Sequence, residues 1–258
     1  MTLVLVHSAG ATPAVWDEVR RYLKGIPILT PVLPGRPGGG GAVADVADYA
    51  AAVLVAMKEA GVDRATVAGH SLGGGVALWL ALNEPARVSG LGLVSTGARL
   101  RVRPEVLAAL PDGLEATAPL MAAANFPAGA AEELVAARVR AYAEVGGATL
   151  LADLTACDRF DVLDRLWEIR CRTQVLVGTE DVLTPPKYSR ALAERISAAR
   201  LIEYPGAGHM LPVERPGEVA GELAVLWAAG LDGGVTRRAE GSPAAAGSSR
   251  QGSLRHSG

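Results

Sequence analysis

The chain has 258 residues, of which 50% are hydrophobic and 20% are charged, and its formal net charge is -2. This size fits one α/β domain with room for an insertion, and the small net charge gives no general attraction to nucleic acid or to an anionic membrane. The cysteines, Cys157 and Cys171, are too few for a disulfide framework and lack zinc-site spacing. The first apolar run is too short for a signal peptide or a membrane span. We therefore expect a cytoplasmic protein without a membrane anchor.

Short apolar, β-branched segments that end at turn residues predict strands buried on both faces. The predicted strands span residues 3–6, 28–33, 65–68, 91–94, 174–177 and 201–204. Helical patterns lie between them, at residues 16–24, 43–60, 71–83, 186–197 and 216–229. Because strands and helices alternate, the sequence predicts a mostly parallel six-stranded sheet with helices on both faces.

Residues 98–167 interrupt this alternation. The segment is rich in Ala and Leu, has helical patterning and contains no convincing strand. It predicts a helical cap inserted into a core formed by residues 1–97 and 168–232. Residues 233–258 are mainly Gly, Ser, Ala and Arg with few aliphatic side chains, a composition typical of a disordered tail.

The segment VAGHSLGGG, residues 67–75, places a serine among glycines directly after a predicted strand. Gly69, Ser71 and Gly73 form a G-x-S-x-G pattern at a junction between a strand and a helix. In this setting the pattern predicts a nucleophile elbow, a strained turn that holds the serine hydroxyl above the sheet. The alternative is a tight glycine turn without chemistry.

A serine nucleophile needs a base, and the base needs an acid that orients it. Among the histidines, His209 in the glycine-flanked segment PGAGHM fits the base, because His70 lies inside the elbow and His7 ends the first strand. Asp181 follows the fifth predicted strand, at the sheet edge where catalytic groups collect in parallel α/β proteins. Glu180, the preceding residue, is the competing carboxylate.

The predicted site also needs backbone N–H donors for an oxyanion and a pocket for the substrate. The predicted donors are Leu72, which follows the serine, and Ala9, in the loop after the first strand. Arg99, Arg101 and Arg103 either bind a carboxylate on the substrate or form a solvated face. The candidate pocket residues, some of which would otherwise form the core of the cap, are His7, Ser8, Leu120, Met121, Phe126, Tyr142, Phe160 and Trp167.

These segments together resemble the α/β-hydrolase fold superfamily. LVLVHSAG is similar to its oxyanion-loop motif, VLPGRPGG to a degraded D-x-P-G-x-G segment, GHSLGGG to its elbow, GTEDVLTPP to its acid loop and GAGHM to its histidine loop. The order Ser71, Asp181, His209 is the order of that family's triad. Met1 leads straight into a strand, without the family's usual hairpin, as in the compact branch that resembles methyl esterases and hydroxynitrile lyases. His7-Ser8 stands where the family usually has His-Gly, and Val32 where it usually has Asp.

The resemblance implies a serine hydrolase that cleaves small carboxylic esters through an acyl-enzyme. It implies no metal or organic cofactor, a small-molecule ester as partner, and neither nucleic acid nor membrane; no oligomeric state is predicted. One alternative is a C–C hydrolase or a hydroxynitrile lyase, the latter needing a cation, for which Lys187 is close to Asp181 in sequence. Another is a non-catalytic binding protein of the same fold.

Overall fold

The structure, a computed structural model, describes residues 1–111 and 113–232. Its six strands form one sheet in the order β2-β1-β3-β4-β5-β6, and all neighbouring strands are parallel. The predicted parallel sheet is confirmed, while the tail predicted for residues 233–258 lies outside the described residues. The strands are β1 (Thr2–Val6), β2 (Ile28–Leu29), β3 (Ala65–His70), β4 (Val88–Val94), β5 (Arg172–Gly178) and β6 (Ala199–Tyr204).

Helices cover both faces of the sheet. One face packs against α1 and α10, and the other packs against α2, α3 and α8. No helix in the described ranges is long and apolar enough to cross a membrane. The α-helices are α1 (Asp17–Tyr22), α2 (Val46–Glu59), α3 (Leu72–Asn83), α4 (Pro104–Ala109), α5 (Leu114–Ala123), α6 (Glu132–Val145), α7 (Gly147–Arg159), α8 (Pro186–Arg195), α9 (Leu211–Glu214) and α10 (Pro216–Asp232); 3-10 helices span Pro13–Trp16, Pro85–Arg87 and Leu163–Glu168.

Strand β1 shows why the apolar runs form central strands. Leu3 and Leu5 pack with α1 and α10, whereas Val4 and Val6 pack with α2 and α3, and all four side chains are fully buried. Successive side chains of a strand point to opposite faces. A strand covered on both faces must therefore be apolar at every position, as this segment is.

Strand β2 is shorter than the predicted segment 28–33. Only Ile28 and Leu29 pair with β1. Pro31 has no N–H to donate to a ladder, so it cannot continue the pairing. The N–H of Leu33 instead donates to Nε2 of His7 at 3.3 Å. The chain therefore leaves the sheet edge early and turns toward the end of β1.

Helices α4 to α7 lie between β4 and β5, within the segment predicted as a cap. They enclose a small apolar cluster of their own. Its buried members are Leu110, Ala118, Ala122, Tyr142 and Leu150. The division of the chain into a core and an inserted cap stays a prediction.

Helix α3 begins very close to the end of β1. A Cβ atom at Gly73 would collide with the carbonyl oxygens of Val6 and His7. Only glycine lets the first turn of α3 approach the sheet this closely.

We expect Gly73→Ala to lower the free energy of unfolding by about 1–3 kcal/mol, because the added methyl group forces the helix away from the sheet. Gly221→Ala is the matched control, since Gly221 lies in α10 with open space around its Cβ position. The control should be neutral or stabilising by up to about 1 kcal/mol. Urea unfolding of both variants measures the difference. Equal changes in unfolding free energy for Gly73→Ala and Gly221→Ala would contradict the close approach of α3 to β1.

Candidate active site

Ser71 occupies a strained turn between β3 and α3. Its backbone has φ 53° and ψ -114°, and residues other than glycine rarely adopt a positive φ of this kind. The turn is held by hydrogen bonds: the Ser71 N–H donates to the carbonyl of Val94 at 3.0 Å, and the Ser71 carbonyl accepts from Thr96 Oγ1 at 2.8 Å. A Cβ at Gly69 would strike the carbonyl of Gly73. The turn therefore has the geometry predicted for a nucleophile elbow.

His209 lies in the loop between β6 and α9. Its N–H donates to the carbonyl of Asn125 at 2.9 Å, and its carbonyl accepts from Nε2 of His70 at 2.8 Å. The Glu214 carboxylate accepts the N–H groups of the residues on either side of His209, at 2.8 and 2.9 Å. The loop is thus fixed from the elbow, from the end of α5 and from α9.

Asp181 forms a hydrogen bond with His209, at 2.9 Å between Oδ2 and Nδ1. It also accepts from the N–H of Leu183 at 2.9 Å, and from the N–H and hydroxyl of Thr184 at 2.8 and 2.7 Å. Burial opposes the charge of Asp181, but the His209 ring and the hydrogen bonds outweigh burial, so the pKa of Asp181 lies below its ordinary value. The ionised carboxylate accepts, and Nδ1 of His209 therefore carries the proton. The competing Glu180 is exposed.

Ser71 and His209 line the same cavity, which has a volume of about 200 Å³. Within the described part of the chain, no hydrogen bond joins the Ser71 hydroxyl to the His209 ring. A serine side chain moves between staggered rotamers readily, and such bonds often form only when substrate is bound. The structure thus pairs Asp181 with His209 and places Ser71 at the same cavity.

The predicted oxyanion donors lie at the start of α3 and in the loop after β1. This loop, residues 8–11, is called the β1 loop below. Ala9 lines the cavity, and Leu72 is the first residue of α3. In residues 1–111 and 113–232, no backbone or side-chain acceptor takes the N–H of either residue. Neither N–H is therefore engaged within these ranges; Ala9 belongs to the cavity wall, whereas Leu72 is fully buried next to Ser71.

Ser8, Met121 and Tyr142 line the cavity, but Leu120 and Trp167 do not. Leu120 is 78% exposed and Trp167 is 62% exposed. Met121 is the next residue of α5 after Leu120, and one step along a helix turns the side chain by about 100°. Trp167 lies in the 3-10 helix before β5, where its ring N–H donates to the carbonyl of Asp164. In this structure the side chains of Leu120 and Trp167 therefore face away from the cavity.

Phe126, Phe160 and His7 are buried, but they too lie outside the cavity wall. Phe126 is next to Gly208, in the loop of His209, and Phe160 packs beside Gly75 of α3. His7 lies behind the β1 loop, where its Nδ1 donates to the carbonyl of Ser8 at 3.1 Å. These residues lie behind the cavity wall in this structure, and their part in a substrate pocket stays a prediction.

The cavity wall is cationic. Arg101, Arg103 and Arg138 line it, and no acidic residue of the ranges 1–111 and 113–232 does. Arg101 donates a hydrogen bond to the carbonyl of Asp158 at 2.6 Å and lies 3.7 Å from the carboxylate of Asp161. The sequence left two roles open for these arginines: binding a substrate carboxylate or forming a solvated face. Arg103 lines the cavity, which agrees with the first role, and its side chain is exposed, which agrees with the second.

Arg99, Lys187 and the free cysteines have other positions. Arg99 pairs with Asp161, and Lys187 is exposed near the Tyr188 ring, so neither supplies a cation to the cavity wall. Cys157 and Cys171 are free, and Cys157 lines the cavity with its pKa raised by burial. No cluster of three or more His, Cys, Asp or Glu in residues 1–111 and 113–232 is arranged to hold a metal ion.

Comparison with known proteins identifies the class. Residues 3–222 match the Alpha/beta hydrolase family. The pimeloyl-[acyl-carrier protein] methyl ester esterase of Aromatoleum aromaticum is 33% identical over 241 residues, covering 84% of this chain and 94% of the relative. The putative carbamate hydrolase RutD of Rhizobium rhizogenes is 30% identical over 234 residues, covering 84% and 88%. A thermophilic esterase of known structure is 34% identical, with a TM-score of 0.77 over 87% of this chain and 88% of its own.

The chain belongs to the α/β-hydrolase family, and its relatives include esterases and carbamate hydrolases. The resemblance predicted from the sequence motifs is thereby confirmed. A hydrolase activity follows from the same relatives.

Two buried histidines make the stability of the folded protein sensitive to acid. Burial, aided by the nearby Arg36, lowers the pKa of His7 from 6.5 to about 3. Burial and then the neighbouring His209 lower the pKa of His70 well below its ordinary value. Both rings are therefore neutral in the folded protein, and unfolding lets them take up protons.

We expect stability to fall as the pH drops below about 6.5, by about 1.4 kcal/mol per pH unit for each such histidine, because the unfolded state binds more protons. His7→Asn removes one of them. The decline in unfolding free energy between about pH 6 and pH 4 should therefore be shallower in the variant by about that amount per unit. Urea unfolding at each pH measures it, and identical slopes would show that His7 is not buried neutral.

Proposed function

We propose that the protein is a serine hydrolase that cleaves small carboxylic esters through an acyl-enzyme. Ser71 is the nucleophile, His209 is the general base and Asp181 orients His209. The observation that carries this proposal is the convergence of a strained serine turn and a buried Asp–His pair on one cavity. The esterase names of two relatives support it.

In the first half of the reaction, Ser71 Oγ forms a bond to the acyl carbon and gives its proton to Nε2 of His209. The N–H groups of Ala9 and Leu72 stabilise the negative charge on the former carbonyl oxygen. The bond to the alcohol oxygen then breaks, and the leaving alcohol takes the proton from His209. Asp181 keeps Nδ1 protonated and stabilises the ring while it is charged.

In the second half, water attacks the acyl-enzyme. His209 Nε2 takes one proton from the water as the oxygen binds the acyl carbon, and it returns the proton to Ser71 Oγ as that bond breaks. The products are a carboxylic acid and free enzyme, so no redox partner or cofactor takes part.

The cavity wall supports a small substrate with an anionic group. Its volume of about 200 Å³ lies below the usual range for drug-sized ligands. Half of the wall residues are aliphatic, and among the described residues the arginines supply its permanent charges. We infer that the acyl chain lies on the aliphatic wall and that a carboxylate at its far end faces Arg103.

Carbamates are a second substrate class, favoured by the carbamate hydrolase relative. The attack on the carbonyl carbon and the oxyanion are the same for both classes. The leaving or acyl nitrogen of a carbamate makes its carbonyl less reactive, so esters are the first substrates to examine.

Ser71→Ala should lower turnover of a p-nitrophenyl ester by about 10⁴-fold or more, because no other group replaces the nucleophile. A fluorophosphonate probe should label the wild type stoichiometrically, losing fluoride to form a bond with Ser71 Oγ, and should not label the variant. Circular dichroism and thermal unfolding check that the variant folds.

Ser197→Ala is the matched control, since Ser197 is exposed and outside the cavity. Its turnover and labelling should equal those of the wild type. A wild type that is folded yet neither turns over esters nor takes the label would favour the non-catalytic binding protein.

Mono-p-nitrophenyl adipate and p-nitrophenyl hexanoate have acyl chains of equal length and differ in the terminal carboxylate. We expect the adipate to have a KM about two- to fivefold lower, which corresponds to one exposed ion pair, and the gap should narrow at high salt. Arg103→Gln should narrow it as well, whereas Arg140→Gln, an exposed arginine of α6, should not. Equal KM values for the two esters in the wild type would disprove the anion preference.

A further inference from the structure

Side chains form hydrogen bonds with two successive peptide groups of the β1 loop. The peptide between Ser8 and Ala9 has its carbonyl bound by Nδ1 of His7 at 3.1 Å. In a trans peptide the N–H points opposite to the carbonyl, so the Ala9 N–H points away from His7. This is the N–H assigned above to the oxyanion.

The next peptide, between Ala9 and Gly10, is held at both ends by side chains from the cap segment. Its carbonyl accepts from NH2 of Arg138 at 2.8 Å, and its N–H donates to Oδ2 of Asp153 at 2.8 Å. Arg138 also donates to the carbonyl of Gly10 at 2.8 Å. Gly10 has φ +57°, and a Cβ there would strike the Tyr142 ring. The backbone on the C-terminal side of the Ala9 N–H is therefore fixed.

Asp153, which holds the Gly10 N–H, has its negative charge balanced by Arg36. Its side chain is fully buried, and it accepts from NH1 of Arg36 at 2.8 Å and from the hydroxyl of Tyr49 at 2.6 Å. Arg36 itself also donates to the carbonyl of Ala11 at 3.0 Å. These contacts join the β1 loop to α2 and α7.

Among the described residues, Arg138 is a buried cation without a carboxylate partner. Its side chain is 6% exposed, and no acid of residues 1–111 or 113–232 lies within ion-pair distance. Its remaining partners are Oδ1 of Asn125 at 3.2 Å and the ring of Tyr142, 4.2 Å away. It also lines the cavity, so its charge acts on any negative charge that forms there.

We propose that Arg138 and Asp153 are positioning residues that hold the Ala9–Gly10 peptide from opposite sides and so aim the Ala9 N–H at the oxyanion. This inference rests on the proposed function. It assigns to helices α6 and α7 a part in stabilising the transition state. Arg138 contacts the loop and not the reacting atoms, so its loss acts through the loop and through its charge.

The test compares Arg138→Gln with Arg140→Gln, which removes the same charge from the exposed side of α6. For Arg138→Gln we expect kcat on p-nitrophenyl hexanoate to fall about 100-fold, the loss typical of one oxyanion donor. KM should change less than about threefold. The inhibition constant of phenylboronic acid, which forms a tetrahedral adduct on Ser71, should rise by a factor similar to the loss in kcat. Arg140→Gln should match the wild type in all three.

Arg138→Lys covers the case in which Arg138→Gln fails to fold. Lysine keeps the charge but cannot donate to two carbonyls at once in the fork geometry of arginine, so an intermediate loss of about tenfold in kcat is expected. The proposal is overturned if a folded variant keeps kcat and boronate affinity, if KM alone changes, or if neither variant folds, since the last outcome makes the role one of stability.

Failure of the proposed function gives a different pattern. In that case the wild type itself neither turns over the ester nor reacts with the fluorophosphonate probe. An active wild type with an equally active Arg138→Gln removes only the positioning role.

Discussion

The site depends on the close approach of helix α3 to the ends of β1 and β3. Gly69 and Gly73 permit this approach, and Ser71 takes a left-handed backbone conformation because the chain must reverse within so little space. All six strands are parallel, so every loop that leaves a carboxyl end emerges at the same edge. The β1 loop, the serine turn, the Asp181 loop after β5 and the His209 loop after β6 therefore meet there. Strain in one turn is stabilised by the packing of the whole sheet.

Residues between β4 and β5, the segment predicted as a cap, bind the backbone of loops at this edge. Asn125 at the end of α5 binds the backbone of His209, and Arg138 and Asp153 bind the backbone of the β1 loop. Two of the loops that carry the proposed chemistry are thus fixed by residues between β4 and β5: the His209 loop by the backbone carbonyl of Asn125, and the β1 loop by the side chains of Arg138 and Asp153. A change of acyl-chain specificity by altering these helices would therefore also disturb the proposed oxyanion donor, unless the contacts of Asn125, Arg138 and Asp153 were kept.

The sequence predicted the features that local chemistry determines. Apolar runs gave the parallel sheet, and the glycines around Ser71 indicated the turn, because backbone demands leave a local mark. Asp181 and His209 were located from the positions of their loops. The cavity wall was predicted less well: Leu120 and Met121 are adjacent in α5, and only packing decides which one turns inward. Arg138 gave no signal, because a charged residue on a helix usually faces water, and its partners come from a loop far away in sequence.

The two buried charges that hold the Ala9–Gly10 peptide, Arg138 and Asp153, differ in a way that matters for the proposed chemistry. The charge of Asp153 is neutralised by Arg36, so it is already satisfied in the resting protein. In the part of the chain that the structure describes, Arg138 is held by carbonyl and amide oxygens and an aromatic ring, which offset part of the cost of burying a cation. Its interaction energy increases when a negative charge forms in the cavity. A neutral ester does not bring such a charge to the reacting carbonyl, whereas the tetrahedral intermediate does. The unneutralised cation therefore favours the intermediate over the bound substrate, and only such a difference lowers the barrier.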